Sequence, residues 1–239
     1  MKILCHVMAG LILIACGGSD GPNFGPETDP TPAQQAAISS TAQDLALMAM
    51  ADAQGQAAGG AAIGFAFGAQ ALIANGTAAS LSPGLPGAAQ IAPAIAALRQ
   101  AQLVDCEVIT SNSIVWNHCT DPDGGFTIDG MMSWSPGHVD IDLQLAGSAQ
   151  GLQFASSLKG SVTATSSSIK ADMTISATVT GNGNNASETL RTQVDVELTS
   201  GCISSGTLTI TATGSGTGSR NAALQVIWTG CNAFRVRNA

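Results

Sequence analysis

Between residues 169 and 180 apolar and polar side chains alternate without a break. Ile169, Ala171, Met173, Ile175, Ala177 and Val179 are separated by Lys170, Asp172, Thr174, Ser176 and Thr178. Side chains along a strand point to opposite faces with period two, so this stretch predicts a strand with one dry face and one wet face. The pattern recurs. Val139, Ile141, Leu143 and Leu145 alternate with His138, Asp140, Asp142 and Gln144. Leu190, Val194, Val196 and Leu198 flank Gln193, Asp195 and Glu197, and Leu208, Ile210 and Ala212 alternate with threonines. Phe126, Ile128, Met132 and Trp134 share one face of a further strand, and Leu224, Val226 and Trp228 close the set. Shorter runs at 106–110, 114–119 and 158–165 complete it. Many one-sided strands imply a broad antiparallel sheet whose single apolar face must be covered.

The connections are short. Ser111-Asn112-Ser113, Ser135-Pro136-Gly137 and Ser166-Ser167-Ser168 read as hairpin turns, residues 121–125 (DPDGG) as another, and residues 181–187 (GNGNNAS) as a polar loop. Tight turns favour an up-and-down meander of eight or nine strands, because antiparallel neighbours need no crossover. Gly130, Gly160 and Gly206 form a faint echo that reads as a glycine opening successive strands.

The cover is expected from the N-terminal half. Residues 33–53 carry Ala36, Ile38, Leu45, Leu47, Met48 and Met50 among helix formers, with Thr31 or Ser40 as possible caps. Residues 57–74 hold no charge and place Gly60, Gly64 and Gly68 at four-residue spacing, a smooth helix face that lets another backbone approach closely. Packing of that face on the sheet is favoured over membrane insertion or an oligomer contact, since the stretch is mainly Ala and Gly and barely long enough to span. Residues 91–104 read as another helix, with Pro93 in its first turn. The fold class is therefore α+β, with Ala/Gly-rich helices packed on one face of the sheet. Residues 33–104 form the helical segment, residues 105–239 the sheet, and residues 33–239 one packed unit.

Residues 1–16 read MKILCHVMAGLILIAC, with one cation at Lys2 and an apolar run too short to span a bilayer. This is the outline of a secretory signal peptide. Its end, Leu13-Ile14-Ala15-Cys16, resembles the lipobox of bacterial lipoproteins. The resemblance covers the leader alone. It implies cleavage after residue 15 and acyl chains on Cys16, so residues 1–15 would be the signal peptide and the bilayer the partner of the new N-terminus. Gly17 and Gly18, in place of an acidic residue, resemble the outer-membrane default of that family. Residues 16–32 (CGGSDGPNFGPETDPTP) then have the composition of a flexible tether.

Charge narrows the partners. Every acid lies after Cys16, so removal of the leader with Lys2 leaves seven cations against sixteen acids. An acidic chain without a basic stripe is a poor binder of nucleic acid, whose phosphates supply most of the affinity. Only a tenth of the residues are charged, well under the roughly 25% of ordinary domains, so Ser, Thr, Asn and Gln supply the polar surface.

Setting aside Cys5 and Cys16 leaves Cys106, Cys119, Cys202 and Cys231. Four cysteines in an exported chain suggest two disulfides with three connectivities. The pairs Cys106–Cys119 and Cys202–Cys231 need only adjacent strands and are preferred. Zinc at His118, Cys119, Cys106 and His138 is disfavoured, because zinc sites show close Cys-x(2–4)-Cys pairs. Asp121, Asp123 and Asp129 resemble a fragment of a calcium loop but lack its required ligand positions. Asp140 and Asp142 share a wet face where acids are expected anyway, and no nucleophile elbow occurs. These residues point to no catalytic residue, cofactor or metal. The favoured function is a non-catalytic cell-envelope lipoprotein with a structural or surface role toward an envelope protein. A carrier of apolar ligand or lipid, similar in architecture to open-barrel lipoprotein carriers, is the alternative, and a hydrolase the remote one.

Overall fold

The computed structural model describes residues 22–50, 106–120, 126–149, 152–181, 184–216, 221–231 and 233–239. Ten strands follow one helix: α1 (Pro32–Met50), β1 (Glu107–Ile109), β2 (Ser113–Thr120), β3 (Phe126–Ser135), β4 (His138–Ala149), β5 (Leu152–Ala164), β6 (Ser168–Gly181), β7 (Asn184–Thr199), β8 (Cys202–Ser215), β9 (Ala222–Gly230) and β10 (Ala233–Asn238). They form one antiparallel sheet in chain order, the meander that the short connections predicted.

The expected eight or nine strands are ten. The additional one is β10, a 6-residue strand in which Phe234 and Val236 alternate with Arg235 and Arg237 over too short a run to stand out. The expected polar loop at 181–187 is also mostly strand, since residues 184–187 pair with β6 and Ser187 also pairs with Ser215 of β8. Ladder bonds to β6, joined at Ser187 by pairing with β8, outweigh the weak strand preference of Asn and Ser there. The echo of glycines opening strands is corrected too. Gly130, Gly160 and Gly206 lie inside β3, β5 and β8 at positive φ. At Gly160 a Cβ would stand 2.2 Å from the Asp172 carbonyl oxygen and 2.7 Å from the Met173 Cα. These are points of close backbone approach, where the sheet bends with no side chain in the way.

The dry face is the core. Met173 is 1% and Ile175 4% exposed, and Leu143, Leu158, Val194, Ile210 and Val226 from neighbouring strands join them in one cluster. The helix lies on this face, touching β6 and β8. It buries Gln34, Ile38, Thr41 and Leu45, a stripe at helical spacing. Its start is a capping box: the Thr31 N–H donates to Gln34 Oε1 (2.8 Å), the Gln34 N–H donates to Thr31 Oγ1 (3.3 Å), and Pro32 follows the cap. Of the two candidate caps Thr31 is used, and Ser40 is an exposed mid-helix residue. The architecture is thus one large sheet with a single helix among the described residues. The expected helices at 57–74, with Gly60, Gly64 and Gly68, and at 91–104 lie outside the described residues, as do residues 51–53 at the end of the first.

The stretch expected to be tether is not all tether. The Gly25 N–H donates to the Asn238 carbonyl (2.9 Å), and Thr28 and Val236 exchange backbone bonds in both directions (2.9 and 3.1 Å). Arg235 pairs with Asp29 and Arg237 with Glu27. This segment therefore lies antiparallel along β10 and covers its edge. The sequence hides the pairing because Pro26 and Pro30 interrupt any alternation and the complementary arginines are about 200 residues away.

Candidate functional site: the polar face of the sheet

On the wet face, cross-strand register sets charged and hydroxyl side chains in rows. One row runs through Asp140, Ser161, Asp172, Gln193, Thr209 and Gln225, from β4 to β9. The rows beside it hold Asp142, Lys159, Thr174 and Arg191 on one side and His138, Thr163, Lys170 and Asp195 on the other. Opposite charges meet across strands: Lys159 with Asp142 (3.0 Å), Lys170 with Asp195 (3.3 Å), and Arg191 with Asp172 through both oxygens. The Arg191 guanidinium holds the Asp172 carboxyl below the usual carboxylate range. Such exposed pairs contribute about 0–1 kcal/mol each, so they fix side-chain order more than stability.

His138 accepts or donates at both ring nitrogens, with Nδ1 3.0 Å from Thr163 Oγ1 and Nε2 3.0 Å from Asp140 Oδ2. Hydroxyl, imidazole and carboxylate in a row reproduce the connectivity of an activated nucleophile. The setting does not support the chemistry. The three side chains lie on an exposed sheet face, and the surrounding backbone N–H groups are engaged in the ladders of β4 and β5. Asp142 turns instead to Lys159, so the two β4 carboxylates have separate partners.

His118 sits in a bulge of β2 at φ 54°. Its backbone N–H donates to Asp129 Oδ1 (2.8 Å), and its ring Nδ1 lies 2.9 Å from the same oxygen. The backbone bond first, and then the ring, hold the Asp129 carboxyl below its ordinary value. The bulge has a structural consequence. It shifts the strand's parity by one, so Ile114 and Cys119 both face the dry side although they differ in parity. Cys119 is fully buried and meets Cys106 with Cα atoms 5.2 Å apart. Cys202 and Cys231 pair likewise at 5.6 Å, so both preferred connectivities are present. His118 turns to Asp129 and His138 stays on β4, so the four residues weighed for zinc are not brought together. Asp121, Asp123 and Cys16 lie outside the described residues.

A depression of about 310 Å³ opens on the wet face beside Asp129, lined by Gln144, Ala146, Ala155, Ser157 and Ser176. It arises where two rows of small side chains cross β4, β5 and β6. A carboxylate on β7 breaks the sidedness of the sheet. Glu188 falls in register between Ala177 and Gly214, on the dry side, and burial pushes its pKa up. Alternation alone could have flagged it, since Glu188 precedes Leu190 by two residues.

Among the described residues no helix is long and apolar enough to cross a membrane. No protein-family model, curated protein or solved structure matches this chain.

Proposed function

We propose that this chain is a non-catalytic lipoprotein of the bacterial cell envelope, held to the outer membrane by acyl chains on Cys16 and acting through its polar sheet face in a structural or surface role. The observation that carries the reading is the short apolar leader ending in Leu13-Ile14-Ala15-Cys16, followed at once by Gly17 and Gly18. More than one acyl chain gives stable anchoring, whereas one alone is marginal. Two disulfides suit an exported chain. The paired charges and hydroxyls of β4 to β8 suit a surface that meets solvent or an envelope protein rather than a reacting substrate. Helices from residues 57–74 and 91–104 would complete the cover that α1 begins, in keeping with their composition.

The carrier alternative needs a dry pocket of about 300 Å³ or more. The 310 Å³ depression lies beside Asp129 on the polar face rather than between helix and sheet, so it is not that pocket. Feeding bacterial cells an alkyne-bearing fatty acid tests the proposal. The parent chain takes up the label and sediments with outer membranes, and Cys16→Ala abolishes both. An unlabelled parent chain sinks the reading.

A further inference from the structure

We infer that the docked segment from Gly25 to Asp29 is an orienting strap: it turns one end of the sheet, the end carrying Asn185, toward a lipid surface and presents the end carrying Ser200 away from it. The inference rests on the reading that Cys16 is the attachment point, and its experiment is built to stand apart from native acylation.

The geometry begins at the β10 edge. The segment runs antiparallel to β10, with Thr28 bonded to Val236 and Gly25 bonded to Asn238. Traced toward its N-terminus it therefore heads past the C-terminal end of β10. That end of the sheet also holds the start of β7 at Asn184 and the start of β9 at Ala222. The opposite end holds the two-residue turn of Ser200 and Gly201, both at positive φ, and the Cys202–Cys231 disulfide.

Register gives the heights. Asn238 pairs with Leu224, Leu224 with Ile210, and Ile210 with Thr192, so Gly25 stands level with Thr192. Along β7, Thr192 is seven residues from Asn185 and eight from Ser200. At ~3.3 Å per residue these are about 23 and 26 Å. Cys16 precedes Gly25 by nine residues, a reach of at most about 32 Å. Running on in the exit direction, that length spans the Asn185 end. Standing the molecule on its Ser200 end requires the chain to reverse first. A reversing turn takes four residues, and the five that remain cover about 18 Å, short of the 26 Å needed.

What holds the strap is a small set of contacts: three backbone bonds at Gly25, Thr28 and Val236, and the pairs Asp29–Arg235 and Glu27–Arg237. Acids two residues apart on the strap face arginines two residues apart on β10, so charge complementarity fixes its register as well as its place. Released from β10, the attachment would lengthen to the sixteen residues between Cys16 and Pro32, about 55 Å, and either end could face the lipid.

The test couples the chain beginning at Cys16 to a maleimide lipid in phosphatidylcholine vesicles, with a genetically encoded fluorescent donor at Asn185 or at Ser200 and an acceptor lipid in the bilayer. The two positions are about 50 Å apart along β7. Energy transfer is expected to be stronger from Asn185 than from Ser200. The difference should collapse in Glu27→Lys/Asp29→Lys, which leaves the sheet untouched, and return when Arg235→Glu/Arg237→Glu is added to it. Equal transfer from the two positions, stronger transfer from Ser200, or a difference that survives Glu27→Lys/Asp29→Lys overturns the inference. Because the lipid is attached chemically, an unacylated native Cys16 would sink the proposed function and leave this result readable.

Discussion

Gly160 offers a sharp test of how the sheet is bent. Its φ of +152° lies where side-chain-bearing residues are strained, and a Cβ would meet the Asp172 carbonyl oxygen at 2.2 Å and the Met173 Cα at 2.7 Å. Both are backbone atoms of β6, so no side chain can swing aside. Gly160→Ala must therefore either move β5 away from β6 or twist residue 160 out of its conformation. Holding a non-glycine residue in a sparsely populated region costs about 1–3 kcal/mol, and forcing extra volume into a packed core costs about 1–3 more. We expect a loss of about 2–6 kcal/mol. Gly201→Ala is the control, because φ is also positive there (+78°) but nothing lies within 4 Å of its Cβ. Only the left-handed penalty applies, about 1–2 kcal/mol. Urea unfolding of the oxidised chain, read by circular dichroism, measures both. A Gly160→Ala midpoint equal to or above that of Gly201→Ala would refute the close approach of β5 and β6.

Two further outcomes follow from the same structure. Replacing Cys202 and Cys231 by serine opens a span of 29 residues and should lower stability by about 3–4 kcal/mol in the chain-entropy model, with the Cys106–Cys119 span of 13 residues worth slightly less, measured by thermal unfolding. Glu188→Gln should stabilise the chain at neutral pH by under about 1 kcal/mol, because burial disfavours the charged form and half-exposure screens the effect. A raised folded pKa means the parent's protonated form is favoured in the fold. Its stability is full below the ordinary Glu value of 4.5 and falls as pH rises through the folded value, so the gain from glutamine should vanish at pH 4.

Much of the sheet was legible because period-two alternation is a local signal. Residues 169–180 show it without interruption, and β6 buries Ile169, Ala171, Met173, Ile175 and Val179 as that alternation requires. The preferred disulfides were legible for the same reason, since each joins neighbouring strands. What escaped depends on contacts far apart in the chain. Cys119 faces the core only through the bulge at His118, which needs a positive φ that no residue type announces there. Gly160 reads as punctuation in the sequence, and its role appears only when Asp172 is brought beside it. The strap on β10 is held by arginines at the opposite terminus, and its two prolines give it the composition of a linker. The His138, Asp140 and Thr163 row joins β4 to β5, so only Asp140 and its β4 neighbour could be weighed from spacing alone.

The proposed membrane anchoring rests on Cys16. Intact mass and peptide mass spectrometry of the protein purified from bacterial membranes should find a mature N-terminus at Cys16 carrying more than one acyl chain, with Cys106–Cys119 and Cys202–Cys231 closed. A mature chain with a free Cys16 amine and thiol, or one that retains residues 1–15, would contradict it.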